Sequence, residues 1–157
     1  MTQTHAAGSQ LYWSSMTPHV PLAAVRRITV YCPINADTLA AVARGDVCAL
    51  ARDAAAGRIL SYIESCPDLG AFGSYRGVCE VSLGLESFTP AKGATPTSGR
   101  VGERSHSPTA AITTYAHESM ADERLDALLA DLTALHPWEV PVIEVAMVTL
   151  RKPMAGG

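Results

Sequence analysis

The hydrophobic pattern divides the chain into four strand-like segments and two helical stretches. Between Arg27 and Ile34, Ile28, Val30 and Cys32 alternate with Arg27, Thr29 and Tyr31, the two-residue period of a half-buried strand. Pro33 ends this strand, read as Ile28 to Ile34, and Asn35 stands where a helix N-cap is needed. Residues 36–64 are rich in Ala, with Leu39, Val42, Leu50, Ile59 and Ile63 at helical spacing. Gly45 and Gly57 interrupt that stretch, which predicts one broken helix or two consecutive ones. Cys66-Pro67-Asp68 and Gly70 mark a turn.

Gly70 to Pro90 reads as a turn followed by a long strand. Cys79, Val81, Leu83 and Leu85 share one face, and Gly84 marks a bulge or a close backbone approach. Residues 90–109 read as a loop rich in Gly, Pro, Ser and Thr, and a loop this long is often functional. Ala110 to Glu118 is the third strand. Ser119 and Asp122 have the spacing of a capping box. In the helix that follows, Leu125, Leu128, Leu129, Leu132 and Leu135 form one apolar stripe. Pro137 stops it near His136. The last strand, Val142 to Leu150, is apolar on both faces, so it is expected to be covered on both, the second time by another copy of the chain.

The order β-α-β-β-α-β predicts an α+β, ferredoxin-like domain, with two helices packed on one face of a four-stranded antiparallel sheet. The domain is expected over residues 26–152, with a C-terminal tail at 153–157. Residues 1–25 carry no acid and several Ser and Thr, as a targeting peptide does, yet the first Arg is at 26. They are read as a disordered extension instead.

Composition narrows the function classes. A chain of 157 residues with 48% hydrophobic and 17% charged residues suits one globular domain. A net charge of -3 without a basic run argues against a nucleic-acid partner. No apolar run reaches the ~18 residues of a membrane span. Cys32, Cys48, Cys66 and Cys79 form no C-x-x-C pair, so reduced thiols and an intracellular, cytoplasmic location are expected.

The densest chemistry is His136-Pro137-Trp138-Glu139-Val140-Pro141, between the last helix and the last strand. His136 and Glu139, with Glu144 beside them, are the candidate donors for a divalent metal ion. Trp138 is a candidate pocket wall. Gly93, Gly99 and Gly102 could cradle phosphate through backbone N–H groups, with Lys92 and Arg100 supplying charge for an anionic ligand. Each has a plain structural alternative: His136 can end the helix, Glu139 can be solvated, and Trp138 can be buried at a contact. No G-x-x-x-x-G-K-[ST] phosphate loop and no G-x-S-x-G nucleophile motif is present.

Gly70-Ala-Phe-Gly-Ser-Tyr75, Phe88-Thr-Pro90, Gly93, Pro96, Gly99, Gly102-Glu103, then His136-Pro-Trp-Glu139, Pro141 and Glu144 occur in this order. The ordered set resembles the PII-like and CutA-like (YqfO-type) domain of the NGG-one-interacting-factor-three family, over roughly residues 27–150. Trp138 stands where that family usually has Tyr, Val140 where it often has Glu, and Ile143 where it has Tyr. The resemblance implies a ferredoxin-like fold and, as in PII and CutA proteins, a homotrimer. The family's dinuclear metal ligands lie in flanking lobes outside the matched part, so no cyclohydrolase activity is carried over.

The expectation is therefore a non-enzymatic homo-oligomer that binds a small ligand or divalent metal at subunit junctions. Its site would join the His136–Glu139 hinge of one subunit to the glycine-rich loop of a neighbour. A metal-assisted hydrolase, using His136, Glu139 and either His117 or Glu144, and a protein-interaction module are the alternatives.

Overall fold

The computed structural model describes residues 22–151. Residues 1–21 of the expected extension and the whole expected tail lie outside the described residues. The elements run β1 (Leu22–Pro33), α1 (Ala36–Ala43), α2 (Ala49–Arg52), α3 (Ala56–Ser65), β2 (Cys79–Phe88), β3 (Ser105–His117), α4 (Asp122–Leu135) and β4 (Val142–Arg151). The four strands form one sheet in the order β2-β3-β1-β4, with every neighbouring pair antiparallel.

β1 starts earlier than its alternation suggested, because β4 gives Leu22 to Val25 partners from Arg151 to Val148. β3 also starts earlier, at Ser105, where β2 supplies the pairing that the composition of 90–109 concealed. Gly84 makes no bulge. It pairs in regular register with Thr109, and the space where its side chain would stand is open.

The described residues form four helices, because the first connection is broken twice, where one break was expected. Gly45 ends α1 at a backbone φ of +96°. There Gly45 N–H donates to Val42 O and Asp46 N–H to Ala41 O, the paired bonds of a Schellman stop. The second break falls at Asp53 rather than Gly57, which lies inside α3. Asp53 is buried, and its carboxylate collects five donors. Asn35 N, Asn35 Nδ2 and Thr38 Oγ1 donate to Oδ2 at 2.9, 3.1 and 2.8 Å. Ala55 N and Ala56 N donate to Oδ1 at 3.0 and 3.2 Å. One side chain thus ties the start of α1 to the start of α3.

The core lies on one face of the sheet. Ile28, Val30 and Cys32 of β1 and Ala110 and Ile112 of β3 cluster with Ile59 and Ile63 of α3 and Leu128 and Leu132 of α4. Leu125, Leu129 and Leu135 flank that cluster, so the leucine stripe is the buried face of α4. The helix does not use its capping box, since its N-cap is Ala121 without a side-chain bond. Ser119 is held instead by His117, whose Nδ1 lies 2.7 Å from Ser119 Oγ and accepts from Ser119 N.

On the opposite face the central strands carry a polar network. Arg27 Nη2 and Tyr31 OH donate to Glu144 at 2.8 and 3.3 Å, and the Thr29 and Thr113 hydroxyls meet at 3.0 Å. At the two edges, Leu85 of β2 and Met147 of β4 are among the most exposed large apolar side chains.

Candidate functional site

The register of the sheet builds the site. β1 stops at Pro33, opposite Thr109, whereas β3 extends back to Ser105 paired with Phe88. The β2–β3 arm therefore projects past the end of β1 and leaves a notch beside it. Pro137 and Trp138 line that notch together with Pro33, Ile34 and His106, and the loop joining β2 to β3 folds onto the stretch from His136 to Pro141. Thr95 N donates to Glu139 Oε2 at 3.0 Å, and Thr97 Oγ1 donates to the Pro137 carbonyl at 2.9 Å. The hinge thus meets the glycine-rich loop of its own chain, where a neighbour's loop was expected.

His136 anchors the hinge and is buried. Its Nε2 donates to the Tyr31 carbonyl of β1 at 2.8 Å, and its Nδ1 accepts from Trp138 N at 3.1 Å. Those two bonds define a neutral ring with the proton on Nε2. Burial pushes the imidazole below its ordinary value, partly offset by the Tyr31 carbonyl. Trp138 then stands edge-on to His136, with centroids 5.5 Å apart, and 5.9 Å from the ring of Phe88.

A sign follows for stability against pH. The unfolded chain protonates its histidine near ~6.5, and the folded chain resists. The contribution of His136 is complete above that value and is lost as pH falls through it towards the lower folded value. Thermal melts between pH 8 and pH 5 are expected to show the decline, and His136→Gln, which keeps a donor for Tyr31, to flatten it. An unchanged slope in the variant would contradict the assignment.

Between Trp138, Phe88 and the loop lies a cleft of about 250 Å³. Pro90, Pro96 and Ala94 add apolar wall, and Glu86 and Glu139 are its ionisable groups. Burial raises the Glu86 carboxyl above its ordinary value. Phe88, Glu86, Thr95 and Thr97 were not singled out as site residues. The signal for Phe88 was present in Phe88-Thr-Pro90, and nothing local marks the other three.

The three glycines do not line the cleft. They have positive φ values of +98° at Gly93, +84° at Gly99 and +82° at Gly102, and so fold the loop. Gly102 N already donates to Pro90 O at 2.8 Å. A Cβ at Gly99 would stand 2.3 Å from Ser105 Oγ, so glycine is needed for the loop to lie against the arm.

The three candidate metal donors do not come together. Both His136 nitrogens hold backbone partners, Glu139 holds Thr95, and Glu144 lies on the sheet face with Arg27 and Tyr31. Among the described residues no group of three His, Cys, Asp or Glu side chains is placed to hold a metal ion. His117 is engaged by Ser119, and His106 Nδ1 lies 2.6 Å from Ser87 Oγ. Cys79 is half-buried, and burial raises its thiol, which suits packing rather than reactivity. No helix of the described residues is long and apolar enough to cross a membrane.

A larger cleft of about 570 Å³ lies at the opposite end of β1, between Phe72, Tyr115, Met120 and the Asp68–Arg124 ion pair. Of the candidate donors it contains His117 alone, and none of His136, Glu139 and Glu144 lines it.

No protein-family model and no curated protein matches the sequence. Among solved structures, the chain is similar to a Bacillus cereus protein related to NIF3, with a TM-score of 0.52 and 14% identity. The likeness covers 82% of this chain and 26% of that one, so the chain spans about a quarter of that protein's length. At this identity the likeness is one of fold.

Proposed function

We propose that the chain is a ferredoxin-like, PII/CutA-type protein that binds a small ligand without transforming it. The cleft between Phe88, Trp138 and the loop at 90–98 is the binding site. The observation that carries this reading is the joining of hinge and loop by Thr95–Glu139 and Thr97–Pro137, which leaves an apolar cleft with a few polar groups between them. The sheet order, read from the β4 edge as 4-1-3-2, supports the ferredoxin-like description. A solved neighbour related to NIF3 agrees with the family that the motif order resembles. Among the described residues no group of three His, Cys, Asp or Glu side chains is placed to hold a metal ion, which favours an organic ligand over a divalent metal.

The assembly in this reading is a homotrimer. Both sheet edges expose large apolar side chains, Leu83 and Leu85 on β2 and Val145 and Met147 on β4. Contact of one edge type with the other is heterologous and closes into a ring when the rotation permits. Such a ring would bring a neighbour towards the exposed Val140 and Val142 beside the cleft, at a subunit junction. Four free thiols suit a reducing, cytoplasmic setting. Light scattering behind size-exclusion chromatography is expected to give three times the 16.5 kDa of one chain. A single-chain mass at every concentration would remove the junction and leave the cleft as a site within one chain.

A further inference from the structure

We propose that the cleft selects a small organic cation, an ammonium or amidinium group carried on an aromatic or apolar body. This inference rests on the reading that the cleft is the ligand site, and adds the ligand's charge and shape. Glu86 and Glu139 are both among the lining residues, and no Lys, Arg or His is. Lys92 and Arg100 belong to the same loop but do not reach the lining.

Both carboxylates keep oxygens that no described residue occupies, exposed at Glu139 and half-buried at Glu86. Glu139 uses Oε2 for Thr95 N, and its Oε1 receives no hydrogen bond from the described residues. Glu86 is half-buried and has neither an ion pair nor a hydrogen bond among the described residues. A partly desolvated carboxylate without a partner favours a cation that brings its own donors.

The remaining wall sets the body of the ligand. The Phe88 and Trp138 rings, with Pro90 and Pro96, offer aromatic and apolar surface. Aromatic rings attract cations through their faces and accept flat apolar groups. An inorganic divalent ion would find few ligating atoms on such walls, and an anion would meet two like charges. The volume of about 250 Å³ suits a one-ring compound.

The test uses three probes of one shape: benzylamine, protonated at neutral pH, benzyl alcohol and benzoate. Each is titrated into the full chain while the amide and indole NMR signals of Thr95, Thr97 and Trp138 are followed. Benzylammonium is expected to bind about tenfold more tightly than benzyl alcohol, and benzoate least well. Added salt should weaken benzylammonium and leave benzyl alcohol unaffected. Glu86→Gln and Glu139→Gln, both close in shape, should each lower benzylammonium affinity about three- to tenfold with benzyl alcohol unchanged. Retained signal dispersion reports that each variant is folded. Equal binding of the amine and the alcohol at these signals would overturn the cation and preserve the cleft. Preference for benzoate would overturn the cation as well. Silence of these signals to all three probes would remove the cleft as a ligand site.

Discussion

Replacing Asp53 with alanine lowers stability by about 3–4 kcal/mol, among the largest losses expected of any single polar substitution in this chain. Five donors converge on this carboxylate, three from the start of α1 and two from the start of α3. Removing it leaves the buried Thr38 hydroxyl and Ala56 N–H, with the part-buried N–H groups of Asn35 and Ala55, without an acceptor. Asp53→Asn keeps the shape and loses the charge, and should lie about 1–2 kcal/mol below the parent. Urea midpoints measure both. A loss under about 1 kcal/mol in the alanine variant would show that water replaces the carboxylate freely.

The same carboxylate sets an acid limit. Burial alone would raise Asp53, but the hydrogen bonds from Asn35, Thr38, Ala55 and Ala56 outweigh it and hold the group below the ordinary range. A depressed carboxyl contributes fully above its unfolded value near ~3.9, and that contribution is lost as pH falls through the lower folded value. Asp53→Asn should therefore be less sensitive to acid below about pH 4 than the parent.

Gly70→Ala is the second large effect, at least about 3 kcal/mol. Gly70 has a φ of +60°, and a Cβ there would stand 2.3 Å from Val78 N and 2.4 Å from Val78 O. Both atoms are backbone, so no side chain can swing aside. The bonds from Gly70 N to Tyr115 O and from Val78 N to Gly70 O fix the entry to β2 and would be disturbed together. Gly73 is the control. Its φ is +58°, but nothing stands within 4 Å of its missing Cβ. Alanine there costs only the left-handed backbone, about 1 kcal/mol. Equal losses at the two positions would show that conformation, not the clash with Val78, governs this turn.

What was legible in the sequence follows from the range of the interactions involved. The leucine stripe of α4 and the alternation over Ile28 to Cys32 are local periodicities, and both fall inside the elements they predict, although β1 begins earlier, at Leu22. The stop at Gly45 was legible because a left-handed cap favours glycine. The break at Asp53 was hidden, because its donors Asn35 and Thr38 lie 18 and 15 residues away. Ser119 and Asp122 had the spacing of a capping box, but spacing does not reveal that the His117 ring competes for the serine.

The candidate site divides the same way. The residue types at 136–141 marked the hinge, and Trp138 and Glu139 do line a cleft. Proximity in sequence groups His136, Glu139 and Glu144 as donors for one metal ion. Their orientations depend on Tyr31 and Arg27 of β1 and on Thr95 of the loop between β2 and β3, which come from two other parts of the chain. The meeting of hinge and loop within one chain depends on β3 outrunning β1, a register that no local pattern encodes.

The most direct measurement is the location of the first bound small molecule, read from the benzylammonium titration across all assigned signals. The largest shifts are expected at Thr95, Thr97 and the Trp138 indole. Shifts centred on Phe72, Tyr115 and Arg124, around the larger cleft at the other end of the sheet, would contradict it.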